Sequence, residues 1–208
     1  MVRKIREYNR PKKTRTRRKV IILGLEGKLN KTEVSYFSSL ERELKNIHFI
    51  YAKNNTDPIS IVNSTISKAK SEEIKLADGD MAISIFDVDN NLNKKNQIKI
   101  AKLKANKSKY KVRVITSNPC FEVWYLEHFL YTTKLFQSSK QLKKEMNQYI
   151  NEYKENGNYF MVLYPNTKKA ILNCERLRKH NKKIYPSKDE EYYNPSTNVD
   201  EIVKELIS

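Results

Sequence analysis

The sequence predicts an α/β fold: a doubly wound, Rossmann-like and mostly parallel sheet of at least four strands flanked by helices, followed by a helical C-terminal portion. Three observations predict it. Short apolar runs such as VIILGL, IHFIYA and MAISIF suit strands buried on both faces. Segments of helical periodicity separate them and are long enough for the right-handed crossovers that parallel strands require. After about residue 118 the helical pattern takes over.

The elements follow in order. The first segment, MVRKIREYNRPKKTRTRRKV, holds ten Lys or Arg residues against the single Glu7 and has no apolar period to fold on. Residues 1–18 therefore read as a basic, flexible arm, and 19–208 as one domain in which 119–208 is largely helical. From Val20, VIILGL is a strand, and EGKLNKTEVSYFSSLERELKN gives turn residues and then a helix with Val34, Phe37 and Leu40 on one face. IHFIYA is the second strand, and Ile61, Ile66 and Ile74 offer a weaker helical face after Asp57-Pro58. MAISIF is the third strand, IKIAKLKANK a basic helix, and KVRVIT a fourth strand whose alternating charges suggest a sheet edge. Helices are then expected in NPCFEVWYLEHFLY, SSKQLKKEMNQYINEYKEN and NTKKAILNCERLRKHNK, while NYFMVLY is open between strand and helical turn. NPSTNVDEIVKELIS reads as a terminal helix capped by Ser, Thr or Asn, with Val199, Ile202, Val203 and Leu206 facing inward.

Composition narrows the partners. A net charge of +17 and a pI near 9.7 favour polyanions, because a basic surface gathers phosphates and releases their counterions. Charge alone does not choose among DNA, RNA and an anionic membrane surface. The longest aliphatic run is too short to span a bilayer, so no membrane association is expected. Cys120 and Cys174 form no CxxC; this argues against structural zinc and, without a signal peptide, fits a cytoplasmic protein. No oligomeric interface can be read.

The acids at the strand ends carry the chemistry. Ligands of open parallel sheets bind beyond the carboxyl ends of the strands, where LGLEG places Glu26 and SIFDVDN places Asp87 and Asp89. Alternate residues of an extended segment share a side, so Asp87 and Asp89 can project together. Carboxylates brought together raise one another's pKa and call for a cation; an oxygen-only set suits Mg²⁺ or Mn²⁺. Each piece has a plainer reading: Asp-x-Asp-Asn also makes turns and caps, and Gly27 also supplies an unusual backbone angle. Two strand ends delivering acids to one edge favour the metal.

The runs IILGLEGKLNKTEVSYF, FDVDN, TSNPCFEVWYLEHF and the late NPST resemble the RloB-like family, a group similar to Toprim-fold proteins and found in bacterial and archaeal defence or restriction-associated settings. The likeness runs from about Arg18 to the C terminus. It implies a Toprim-like catalytic domain in which Glu26 matches the acid after the first strand and Asp87 and Asp89 match the Asp-x-Asp motif, binding Mg²⁺ and acting on phosphodiesters. It also implies a role against foreign genetic elements; a component active only with another defence protein, such as an ATPase, is a further reading compatible with it. Many Toprim proteins carry a glycine soon after the second Asp, where this chain has Asn90 and Asn91. No tyrosine matches a topoisomerase nucleophile and no primase module is present, which leaves the nuclease as the implied activity. The alternative is a non-catalytic nucleic-acid-binding or regulatory component that works with a partner.

Further residues take provisional roles. Glu33, one helical step past the first loop, is a ligand, a support behind the ligands, or an acid favoured by the helix dipole. Ser117 or Asn118 is expected to cap the next helix, whose free N–H groups can receive a phosphate. Glu122 is a ligand or base, or else a partner of Lys or Arg; His128 is a catalytic or a packing residue. Arg15, Arg17, Arg18 and Lys19 in the arm, and Lys94, Lys95, Lys99, Lys102 and Lys104 after the acidic loop, are expected to hold the sugar-phosphate backbone or to form a solvated face.

Overall fold

The computed structural model describes residues 17–27, 32–53 and 55–208. Arg15 and most of the basic arm lie outside them. Five strands form one sheet in the order β2-β1-β3-β4-β5: β1 Lys19–Leu25, β2 Ile47–Tyr51, β3 Met81–Asp87, β4 Arg113–Asn118 and β5 Ser196–Thr197. The first four are parallel; β5 runs antiparallel to β4. The helices are α1 Thr32–Leu44, α2 Pro58–Ser71, α3 Leu92–Lys107, α4 Glu122–Phe129, α5 Ser139–Met146, α6 Phe160–Leu163, α7 Thr167–Ile184 and α8 Val199–Ile207.

Alternation along the strands divides the core. Ile21, Leu23 and Leu25 of β1, with Ile83 and Ile85 of β3, join a cluster that includes Tyr36, Phe37, Trp124 and Leu206, so α1, α4, α7 and α8 cover this face. Ile22, Ala82 and Phe86 point the other way, onto Ile61 and Val62 of α2 and Ile98 and Ala101 of α3. Each fully buried aliphatic or aromatic side chain contributes about 1.5–3 kcal/mol. Gly24 permits α2 to approach closely: a Cβ there would stand 2.0 Å from Thr65 Oγ1, a hydroxyl that donates to Ile61 O at 2.8 Å and hydrogen-bonds to Ser84 Oγ at 3.0 Å.

The edge expected of KVRVIT holds at its charged start: Arg113 opens β4, and β5 pairs only with Ser117 and Asn118, through Thr197 and Ser196. NYFMVLY resolves as helix, Phe160–Leu163 and a following 3-10 turn, with Phe160 and Leu163 buried. Among the described residues, no helix is long and apolar enough to cross a membrane.

The order of the strands positions the site. The chain passes from β1 outward to β2, then returns across β1 to β3. The crossovers therefore diverge between β1 and β3, and such a switch point opens a crevice at the carboxyl ends of the two strands.

Candidate active site

Glu26 leaves β1 at that crevice, and Gly27 turns the chain at φ 78° while its N–H donates to Asn55 O at 2.9 Å. Asp87 ends β3 on the neighbouring strand. Asp89 and Asn90 follow with φ of 54° and 53°, a left-handed turn that Asp and Asn tolerate better than most residues. The Asn-rich sequence ties this turn down: Asn90 Nδ2 donates to Phe136 O at 2.8 Å, and its Oδ1 accepts from Asn194 Nδ2 at 3.0 Å. Asn91 then caps α3, its Oδ1 accepting from Lys94 N at 3.1 Å.

That cap starts α3 so that Lys94 reaches back into the crevice. Its Nζ lies 2.7 Å from Asp89 Oδ2, and 2.9 and 2.8 Å from the two carboxylate oxygens of Glu26, of which only Oε1 accepts with hydrogen-bond geometry. Burial alone would lower the Lys94 pKa, but Asp89 and Glu26 outweigh it and raise it. Lys94 is therefore a charged bridge between acids from two strand ends.

Asp87 stands beside this bridge with Oδ1 accepting from Phe121 N at 2.9 Å. Its pKa is pushed well above the ordinary carboxylate value, first by burial and then by the charges of Glu33, Glu122, Asp89 and Glu26. Five carboxylates thus share one region. Glu33 is buried in the first turn of α1. Glu122, also buried, accepts from Tyr153 Oη at 2.8 Å and Thr32 Oγ1 at 3.3 Å, with Lys143 Nζ at 3.9 Å. Burial opposes the charge on Lys143, yet Glu122 and Glu155, the latter 2.8 Å away, raise its pKa. Ser139 Oγ closes the other side by donating to Asp89 Oδ1 at 2.9 Å. Sequence reading missed Lys143, Tyr153, Thr32 and Ser139, which arrive from distant segments without any motif spacing.

The donor chemistry, anionic oxygen alone, fits a hard divalent cation such as Mg²⁺. The arrangement is nevertheless closed: among the described residues, no three His, Cys, Asp or Glu side chains converge on one ion position. Lys94 supplies the positive charge between Glu26 and Asp89 instead.

The remaining sequence-predicted residues separate. Ser117 and Asn118 do not cap α4, which corrects that expectation. They are the buried last residues of β4, with Ser117 Oγ 2.8 Å from Thr197 Oγ1 and Asn118 Nδ2 donating to Tyr193 O. α4 starts only at Glu122, and the Asp87 carboxylate takes the N–H of the preceding Phe121. His128 lies inside the core, its Nδ1 2.8 Å from Trp124 O and its ring against Trp124, with burial lowering its pKa to about 4. Arg17 makes two hydrogen bonds to Asp80, at 2.9 and 2.7 Å, and Arg18 lies 3.8 Å from Glu41. Lys19 and Lys104 are exposed. Lys95, Lys99 and Lys102 face the segment around Tyr192.

Comparison with curated proteins and with solved structures returned no match. A family profile described as RloB-like protein matches residues 21–206, which include both acidic strand ends, the α4 region and the terminal helix. The chain belongs to the RloB-like protein family.

Proposed function

We propose that the protein is a nuclease: a metal-dependent enzyme that hydrolyses phosphodiesters of nucleic acid, acting in bacterial or archaeal defence against foreign genetic elements. The observation that carries this reading is the crowding of Glu26, Asp87, Asp89, Glu33 and Glu122 at the switch crevice, where burial and then the four neighbouring charges raise the Asp87 pKa. A structural role seldom needs so many mutually repelling acids beside one lysine.

Glu26, Asp87 and Asp89 would hold Mg²⁺ or Mn²⁺. The ion would supply charge neutralisation at the phosphate and polarise water. Asp87 is already aimed by the Phe121 N–H, and Asp89 by Ser139, so both carboxylates are held in place by the fold. Lys94, released from its acids, is within the same crevice to pair with a phosphate oxygen. Glu122, held by Tyr153 and Thr32, is placed as a base or as a further ligand.

The Lys94 bridge also favours a second reading: a component whose site stays closed until a partner, such as a defence ATPase, opens it. Cleavage of single- and double-stranded DNA and RNA with and without Mg²⁺ or Mn²⁺ tests the nuclease. Metal-dependent cutting that falls at least 100-fold in both Asp87→Asn and Asp89→Asn is expected. Undiminished cutting in both variants would remove these acids from the mechanism. Cutting that needs an added partner would establish the second reading.

A further inference from the structure

Beyond Lys94, α3 carries Lys95, Lys99 and Lys102 at spacings of four and three, one line leading away from the acids. At 1.5 Å of rise per residue the line is about 10 Å long, roughly three nucleotide steps of a B-form strand. The Tyr192 ring lies beneath two of its ammonium groups, 4.7 Å from Lys95 Nζ and 5.1 Å from Lys99 Nζ. Asp189 Oδ2 is 2.6 Å from Lys99 Nζ, and the buried Glu191 pairs with Lys102.

These contacts border a cleft of about 850 Å³ between α3 and α7. Lys179 and Lys182 of α7 and Lys188 add exposed positive charge to its lining. The opposing acids are Asp189, Glu190 and Glu191, together with Glu175, whose carboxylate is already taken by Lys204 at 2.7 Å. Lys95 registers the crowding of cations: burial and then Lys188 hold its pKa below the ordinary lysine value. An anion bound between them would relieve that repulsion.

We propose that the α3–α7 cleft is a track for a nucleic-acid backbone, continuous with the acid crevice, and that Asp189 occupies a phosphate position on Lys99 while no strand is bound. The inference rests on the reading of the crevice as a site for phosphodiesters. Glu191 is buried and holds Lys102 in register; Asp189 is mostly exposed and its ion pair is weak, as solvent-screened pairs are. A phosphate can therefore displace Asp189 without unfolding the segment. The Tyr192 face, already bordered by two ammonium groups, is shaped to receive a base or sugar beside that phosphate.

The test is fluorescence-anisotropy binding of a labelled 20-mer, single-stranded and duplex, to the full chain over a range of salt without divalent ions. Asp189→Asn is compared with Glu205→Gln, which removes one exposed acid that does not line the cleft and pairs with Arg113. Freeing Lys99 for one more phosphate steepens the salt dependence by about 0.7 for a single strand and tightens binding roughly fivefold at 0.1 M salt, whereas Glu205→Gln changes affinity less than twofold. In the Asp189→Asn background, Lys99→Gln should remove both the gain in affinity and the added slope. Equal effects of Asp189→Asn and Glu205→Gln, in a parent that binds, would overturn the track and leave the nuclease reading intact. A parent that binds neither oligonucleotide would overturn both.

Discussion

At the scale of single residues, the fold holds two carboxyl groups against their ordinary chemistry. Asp87 is pushed upward by burial and four neighbouring acids, so its ionised form is destabilised in the folded chain. Asp87→Asn keeps the acceptor for the Phe121 N–H and removes the charge. Its expected result is a metal-free protein more stable than the parent at neutral pH, read as a higher urea midpoint, with the cutting activity lost. A less stable variant would mean that the acids are not in conflict. Glu127 is a second case, outside the site: fully buried, with neither carboxyl oxygen hydrogen-bonded, its pKa is raised to about 8 by burial and then by Asp200. Here the folded state binds the proton more tightly than the unfolded chain, so stability is lost as pH rises from about 4.5 to about 8. Glu127→Gln should match the parent most closely at pH 5 and exceed it increasingly toward pH 8, by roughly 5 kcal/mol at most. Parallel pH curves for the two proteins would contradict this. Glu127 stands in the aromatic helix α4, buried from Glu122 to His128, with α7 packed against it and Asn173 Nδ2 donating to Glu127 O at 2.8 Å.

At the scale of elements, the turn from β3 to α3 decides where the acids and Lys94 meet. Its left-handed residues, Asp89 and Asn90, set the direction of the helix, and Asn90 ties the turn to Phe136 and Asn194. Asn90→Ala loses those bonds and keeps an unfavourable φ, an expected cost of about 3 kcal/mol; Asn90→Gly loses the bonds alone and should be milder by about 1 kcal/mol. Equilibrium unfolding of the two variants checks the ranking, and Ala as stable as Gly would show that the turn does not depend on φ. The four parallel strands, α1, α3 and α8 were legible from apolar runs and periodicity. The start of α4 was not. Ser117-Asn118-Pro119 looks like a helix cap, but β5 returns from 80 residues away and takes Ser117 and Asn118 into the sheet. Local capping chemistry lost to a long-range pairing that leaves little trace in two residues, Ser196 and Thr197.

At the scale of the whole molecule, a strongly basic chain carries a compact acidic crevice at the one place where the crossovers of its parallel sheet diverge. Family membership and the acids at the strand ends could be read from the sequence; the closure of the site by Lys94 could not, because that contact depends on the first turn of α3 folding back over the loop. The central claim is that these acids form a cation site for which Lys94 stands in when no ion is bound. Titration of Mn²⁺ into the parent, Asp87→Asn and Lys94→Met, followed by electron paramagnetic resonance of the free ion, tests it most directly. Saturable binding in the parent, at least tenfold weaker binding in Asp87→Asn and tighter binding in Lys94→Met are predicted. Indistinguishable binding by all three proteins would contradict the claim.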